Sequence, residues 1–371
     1  MTSYFSAAEL TTALNLRDLS DPGQGHHAMQ TLLESVVADL AGGWNILAEI
    51  IRHSPLVAVS DNYDKLGFDP DSVTRDRRYS RYASPTVMLR SHISASIPSL
   101  LQGLDAEASF DRLLVLPGLV YRRDAIDRTH AGAPHQVDLW RVSSTTLLTE
   151  ADLETMLATV VEAVLPGAQW RAVVAVHPYT IHGRQVDVLV DGDWLELAAC
   201  GMISPQLIRA AGLDPAVWSG LALGMGLDRA LMLRKGIPDI RLLRATDPRI
   251  GEQMLDLSPW LAVSVMPPMR RDISIVMDAY ADAETLGDRA RAALGGRIDD
   301  LECVEILNIT QRADLPRKAQ DRLRLQPEQA NALVRLTLRS LSRTLTDPEA
   351  NKIRNDIYRA LHEGPVLELI E

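Results

Sequence analysis

GLVYRRDAIDRTHAGAPHQVDL, residues 118–139, is the stretch on which the reading of the fold turns. An apolar entry ending at Tyr121 runs into Arg122, Arg123, Asp124 and Asp127. His130 follows, and the segment leaves through His135, Gln136 and Asp138. Strand-like runs flank it at 113–116 and 137–142, and more follow at 171–176, 185–190 and 194–198. A single helical pattern, 150–163, lies among them. This order predicts an α+β fold with mostly antiparallel strands, not an alternating βαβ series.

Upstream, Leu32, Leu33, Val36, Val37 and Leu40 recur at helical spacing and predict a helix over 27–52, with Gly42 and Gly43 as an interruption. Residues 60–85 are polar, carry an arginine cluster at 75–78, and read as a loop. Downstream, Pro259, Pro267 and Pro268 mark a linker. Beyond it Ile273, Ile275 and Met277 alternate. Leu286, Ala290 and Leu294 then repeat every four residues, up to a stop at Gly295 and Gly296. A strand pattern over 304–309 and alternation at Val334, Leu336 and Leu338 come next. Thr346 and Glu349 have capping-box spacing ahead of Ile353, Ile357 and Leu361, and a last apolar run spans 366–369. The sum is β-α-β-β-α-β, the order of a split-βαβ, ferredoxin-like module.

Composition sets the class. The chain has 371 residues, enough for two domains, and 46% are hydrophobic. No run of about 18 apolar residues predicts a membrane span. The two cysteines, Cys200 and Cys303, lack metal-ligand spacing, which argues against zinc and against a disulfide framework and points to a reducing cytoplasm. Net charge is −11; residues 262–371 hold 16 Lys+Arg and 18 Asp+Glu, leaving −9 for residues 1–261. Nucleic-acid binding on such a chain needs local basic faces.

Three segments carry chemistry. The first is 118–139, where paired arginines are either a solvated ion-pair turn or a clamp for a phosphoryl oxygen. The second is GLALGMGLDR, residues 220–229. Its glycines at 220, 224 and 226 permit close backbone approach, and Arg229 stands near a helix start that suits an anion. The third is WLELAACGM, residues 194–202, in which Glu196 either faces solvent or points into a cleft to meet a metal or an amine.

Together and in this order, these segments resemble the phenylalanyl-tRNA synthetase family. Tyr121-Arg122-Arg123-Asp124 is similar to motif 2 of class II synthetases. Asp127, His130 and the segment 134–138 match the D-x-x-H and F-H-Q-x-E that follow it. Leu89-Arg90-Ser91-His92-Ile93-Ser94 resembles L-R-T-H-T-S, residues 177–183 resemble F-P-F-T-E-P-S, and residues 194–202 resemble W-L-E-I-x-G-C-G-M. Residues 224–229 and 236–241 are similar to motif 3 and its continuation. Arg270-Arg271-Asp272 and residues 343–346 resemble the ferredoxin-fold anticodon-binding domain.

The resemblance implies a class II antiparallel sheet with flanking helices, followed by that ferredoxin-like module. Residues 1–60 would be the N-terminal helical region of the catalytic domain, 61–257 its core, and 258–371 the anticodon-binding domain. The arrangement is that of the monomeric, organellar type. The substrates would be ATP, an amino acid and tRNA, with Mg²⁺ as cofactor. By position, Arg122 would hold the α-phosphate of ATP and Arg229 the γ-phosphate. Asp124, His130 and Asp228 would join the ATP site, and Glu196 would help hold ATP and Mg²⁺. His92, Ser94, Gln136 and Asp138 would hold the amino and carboxylate groups of the amino acid, and His177, Tyr179 and Ala222 would line its side-chain pocket.

The sequence departs from the pattern at defined places. His177 and Tyr179 replace two phenylalanines, Ile181 a glutamate and Ile97 a glutamine. Asp124, Asp138 and Asp228 stand where the family has glutamate. Strand alternation would put residues 177 and 179 on one face, where their polar tips predict a substrate with a polar substituent. Two other functions fit the same motifs: a paralogue passing an activated amino acid to a non-tRNA acceptor, and a non-catalytic RNA-binding protein.

Overall fold

A computed structural model describes residues 4–76, 80–123, 125–263, 267–341, 343–365 and 367. The chain divides into two compact units. The first holds residues 1–122, 133–237 and 253–260; the second holds 123–132, 238–252 and 261–371.

In the first unit the strands are β1 (Leu47–Ile50), β2 (Leu56–Ala58), β3 (Arg81–Tyr82), β4 (Val87–Leu89), β5 (Asp111–Leu119), β6 (His135–Ser143), β7 (Trp170–Val174), β8 (Thr180–Val190), β9 (Asp193–Ile203) and β10 (Ser219–Gly226). Seven form one sheet in the order β1-β5-β6-β10-β9-β8-β7, parallel at β1–β5 and antiparallel elsewhere. Strands β2, β4 and β3 make a small second sheet. Alternate side chains of the large sheet, among them Leu114, Leu116, Trp140 and Val142, join Ile93, Ile97 and Leu207 in a buried core. Helices Ala28–Trp44 and Glu150–Val164 pack on one another, and the former buries Leu32, Leu33, Val36 and Leu40.

Two local expectations fail here. The helix predicted over 27–52 ends at Trp44, because Asn45 takes a left-handed conformation (φ 53°), and the chain resumes as β1. The segment read as a loop contains helix Val59–Asn62 and β3; Arg77 and Arg78 lie outside the described residues.

In the second unit β11 (Met269–Asp278), β12 (Leu301–Gln311) and β13 (Gln329–Leu338) form an antiparallel sheet in the order β11-β13-β12. Helices Ala283–Leu294 and Asp347–Leu361 bury Leu286, Ala290, Ile353 and Ile357 in a core with Ile273, Ile275, Val334 and Leu336. The Thr346/Glu349 capping box is formed. Except for Leu367, the strand expected over 366–369 lies outside the described residues. Ile126 joins this core, and its carbonyl accepts a bond from Val304 N. Buried Glu302 faces Arg128 and Arg339 at 2.7 Å each and Arg241 at 3.7 Å.

Candidate active site

The register of the large sheet builds the site. Gln136, Asp138 and Trp140 alternate along β6 and oppose Gly226, Gly224 and Ala222 of β10. On the other side of β10, Gly224 and Ala222 oppose Ala199 and Gly201 of β9. Directly opposed residues share a sheet face, so a floor of small residues lies beside a wall of two polar side chains and an indole. The segment 219–226 is strand up to the first residue of helix Leu227–Lys235, not a glycine-rich turn. Its glycines differ in role. A Cβ on Gly224 would lie 3.3 Å from Asp138 Oδ1, and one on Gly226 would meet nothing within 4 Å. At Gly220 it would strike Ile203 Cδ1 at 2.3 Å and the Arg141 carbonyl at 2.6 Å, so that glycine serves packing.

Ser94, in the 3₁₀ turn Ile93–Ser96, donates to Asp138 Oδ2 at 2.6 Å, and Trp140 Nε1 donates to the same oxygen at 3.1 Å. Burial raises the Asp138 carboxyl to about 6 despite these bonds and the nearby Arg90 and Arg122 guanidinium groups. The Tyr179 ring stacks on Trp140 (centroids 6.0 Å apart) and lies 6.3 Å from Phe68; its hydroxyl is 3.5 Å from Ser94 Oγ. Burial, with Asp138 adding, pushes that hydroxyl up to about 12. His92 stacks on Phe68 at 5.5 Å, and neither of its buried ring nitrogens makes a hydrogen bond of ordinary geometry. Burial first and Arg122 second lower it to about 3, against a weaker raising contact with the Asn62 backbone, so it is neutral. Gln136 Oε1 and Thr180 Oγ1 are likewise buried and unpartnered.

His177 and Tyr179 are not on a strand. They occupy the tight turn between β7 and β8, closed by Thr180 N donating to the His177 carbonyl at 3.2 Å. Their rings still come within 6.2 Å. Burial lowers His177, against the raising influence of Glu196.

The charged groups stand around this core. Arg122 Nε donates to the Ser91 carbonyl at 2.8 Å, and Arg229 Nη1 to the Glu196 carbonyl at 3.1 Å. Arg229 sits in the first turn of its helix, whose N-cap, Gly226, supplies no side-chain bond. Glu196 is exposed on β9. Asp228 differs from its expected contact with ATP: it is 5% exposed, and both its oxygens bind His135, through the main-chain N–H and through Nδ1 at 3.0 Å. His135 Nε2 then accepts from Leu19 N at 2.9 Å, so Asp228 locks a histidine between β6 and the N-terminal segment. His130 lies in the second unit and is bonded to Asp127 at 2.7 Å. Asp124 lies outside the described residues.

Thus His92, Ser94, Arg122, Gln136, Asp138, Tyr179 and Ala222 come together, with His177, Glu196 and Arg229 at the margin. The sequence reading missed Phe68 and Trp140. Trp140 was legible as the next residue on the face of Gln136 and Asp138; Phe68, one of only three phenylalanines, sits in a segment dismissed as loop. Among the described residues no group of three or more His, Cys, Asp or Glu could hold a metal ion. The lone Glu196 fits Mg²⁺, which keeps several waters and binds through one or two carboxylates plus phosphate oxygens. Among the same residues no helix is long and apolar enough to cross a membrane.

Comparison with known proteins matches residues 25–254 to the family "tRNA synthetases class II core domain (F)". A phenylalanine–tRNA ligase alpha subunit of Prochlorococcus marinus (strain MIT 9313) is 34% identical over 242 residues, 64% of this chain and 69% of that one. The chloroplastic/mitochondrial phenylalanine–tRNA ligase of Arabidopsis thaliana is 27% identical over 330 residues, 83% of this chain and 71% of that one. A solved pyrrolysyl-tRNA synthetase from Desulfitobacterium hafniense is 18% identical, with a TM-score of 0.47 over 60% of this chain and 75% of its own. The family match runs through every strand that lines the site, from β5 to β10, and by it the chain belongs to the class II tRNA synthetases.

Proposed function

We propose that this protein activates phenylalanine with ATP, releases pyrophosphate, and transfers the amino acid from the adenylate to tRNA in the cytoplasm. One observation carries this reading: a buried Asp138–Ser94 pair and an unpartnered Gln136 carbonyl share a sheet face with an aromatic wall, and Arg122 stands beside them.

The chemistry needs no protein nucleophile. A substrate carboxylate oxygen attacks the α-phosphorus, the bond to the β-phosphate oxygen breaks, and pyrophosphate leaves with the electron pair. Asp138 and Ser94 hold the ammonium group, and Gln136 and His92 offer polar atoms to the rest of the amino-acid head. Arg122 neutralises charge growing on the α-phosphate, and Arg229, with the helix start behind it, holds the γ-phosphate. Mg²⁺ at Glu196 would offset phosphate charge. In the second step a terminal tRNA hydroxyl attacks the acyl carbon and AMP departs. Residues 258–371 would recognise the anticodon region, a role favoured by the three-stranded antiparallel sheet and the helices Ala283–Leu294 and Asp347–Leu361 among their described residues.

ATP–pyrophosphate exchange with a panel of amino acids, followed by charging of total tRNA, tests the reading. Exchange and charging led by phenylalanine is the expected result. Exchange with no tRNA charging would instead support a non-tRNA acceptor.

A further inference from the structure

We infer that the Tyr179 hydroxyl is a ligand of the substrate's ammonium group, the third oxygen of a site whose other two are Ser94 Oγ and the Asp138 carboxylate. This rests on the reading of the site as one that binds an α-amino acid, and it reassigns the polar tip of residue 179 from the side-chain pocket to the amine.

Proton counting carries the argument. Ser94 has one hydroxyl proton, and its 2.6 Å contact with Asp138 Oδ2 takes it. In the 3.5 Å contact between the two hydroxyls it is Ser94 that is turned toward the Tyr179 oxygen, at a distance too long to draw its proton away from Asp138. The Ser94 oxygen is left with lone pairs and no proton of its own to offer, and the Tyr179 oxygen adds an acceptor beside the pair. An ammonium group has three N–H donors and no acceptor, so it is the complement of this set.

The surroundings hold these oxygens in place. Trp140 fixes the phenol ring by stacking at 6.0 Å and fixes Asp138 through Nε1, occupying Oδ2. Oδ1 remains on the side of Gly224, where the lack of a side chain keeps it approachable. A phenylalanine at 179 could pack on Trp140 in the same way but would remove the third acceptor. What remains around the ring slot from this chain is then largely apolar: Phe68, Trp140 and Ala222.

The test uses the full chain and two ligands, L-phenylalanine and 3-phenylpropionate, which is the same molecule without its ammonium group. Tyr179→Phe keeps the ring and removes only the hydroxyl. Calorimetric Kd for phenylalanine should rise roughly 10–100-fold, the range for a hydrogen bond to a charged group. The exchange KM for phenylalanine should follow it while kcat and the KM for ATP stay within about twofold, as expected for ground-state binding lost uniformly. Affinity for 3-phenylpropionate, measured directly or as a competitive inhibitor, should not change. Ser94→Ala, which removes the oxygen lying between the other two, should lower the same discrimination, and the two losses should be coupled in the double variant. Equal weakening of both ligands would mean that Tyr179 shapes the pocket and does not read the amine. Unchanged phenylalanine binding in the variant would also overturn the inference. If the wild-type chain binds no phenylalanine and supports no exchange with any amino acid, the functional reading itself fails.

Discussion

Replacing Asp138 by asparagine should make the protein more stable and nearly inactive at once. Asp138 is 4% exposed, and burial raises its carboxyl from 3.8 to about 6. A carboxyl whose folded value lies above its unfolded value contributes stability that is full below the unfolded value and is lost as pH rises through the folded one. That gap corresponds to about 3 kcal/mol forfeited at pH 7.5. The same relation leaves a loss of only about 1 kcal/mol at pH 4.5. Asparagine is nearly isosteric and carries no such penalty; its carbonyl oxygen can still accept from Ser94 and Trp140. Asp138→Asn should therefore exceed wild type by up to about 3 kcal/mol at pH 7.5, and the advantage should shrink by about two thirds at pH 4.5. Urea unfolding followed by tryptophan fluorescence measures this, since Trp140 and Trp218 are buried in the first unit. ATP–pyrophosphate exchange should fall at least about 100-fold, because the ammonium group loses its counter-charge. Equal stabilities at pH 7.5, or an advantage independent of pH, would refute the reasoning that a desolvated charge is kept for binding at a cost in stability.

Three further outcomes follow from the geometry. Arg229→Ala should slow exchange by about 10²–10³ in a folded protein; near-normal exchange would remove Arg229 from the phosphate site. Glu302→Ala, which leaves Arg128 and Arg339 without the buried carboxylate at 2.7 Å, should destabilise the second unit by about 3–5 kcal/mol, read as an early calorimetric transition, and a shift below about 1 kcal/mol would show the network to be slack. His177→Phe should favour phenylalanine over an amino acid bearing a para-hydroxyl or para-amino ring by roughly tenfold in kcat/KM, the scale of one unpaired buried polar group, and an unchanged ratio would clear His177 of a part in specificity.

Much of this was legible before any coordinates. The strands at 113–116 and 137–142 declare themselves through apolar β-formers, and the second unit does so through strict alternation at 273–277 and 334–338. What escaped has physical causes. β1 was hidden because a helical stripe runs unbroken into Gly42 and Gly43, while the actual stop is made by the left-handed Asn45. Residues 177–179 look like a strand because apolar and polar residues alternate, yet Pro178 has no N–H for a ladder and the chain turns there. The motif order pointed to Asp228 as a contact for ATP; only packing reveals that its carboxylate is turned to His135. Nor does spacing tell which hydroxyl Tyr179 meets, since that depends on a stacking partner in β6.

The small-residue floor limits how the specificity of such an enzyme can be altered. A methyl group added at Gly201 would lie 2.8 Å from Thr180 Cβ, and one at Gly220 would collide with Ile203 and the backbone of Arg141. Neither position can be enlarged without moving the sheet. Ala222 is fully enclosed, so a larger residue there would shorten the slot from below, whereas glycine would deepen it by one methyl. Shape variation is therefore channelled to Ala222 and to the rim residues Phe68 and His177, on loops whose backbone no ladder holds. A library built to accept bulkier or smaller aromatic amino acids would place its diversity at those three positions and leave Gly201 and Gly220 untouched.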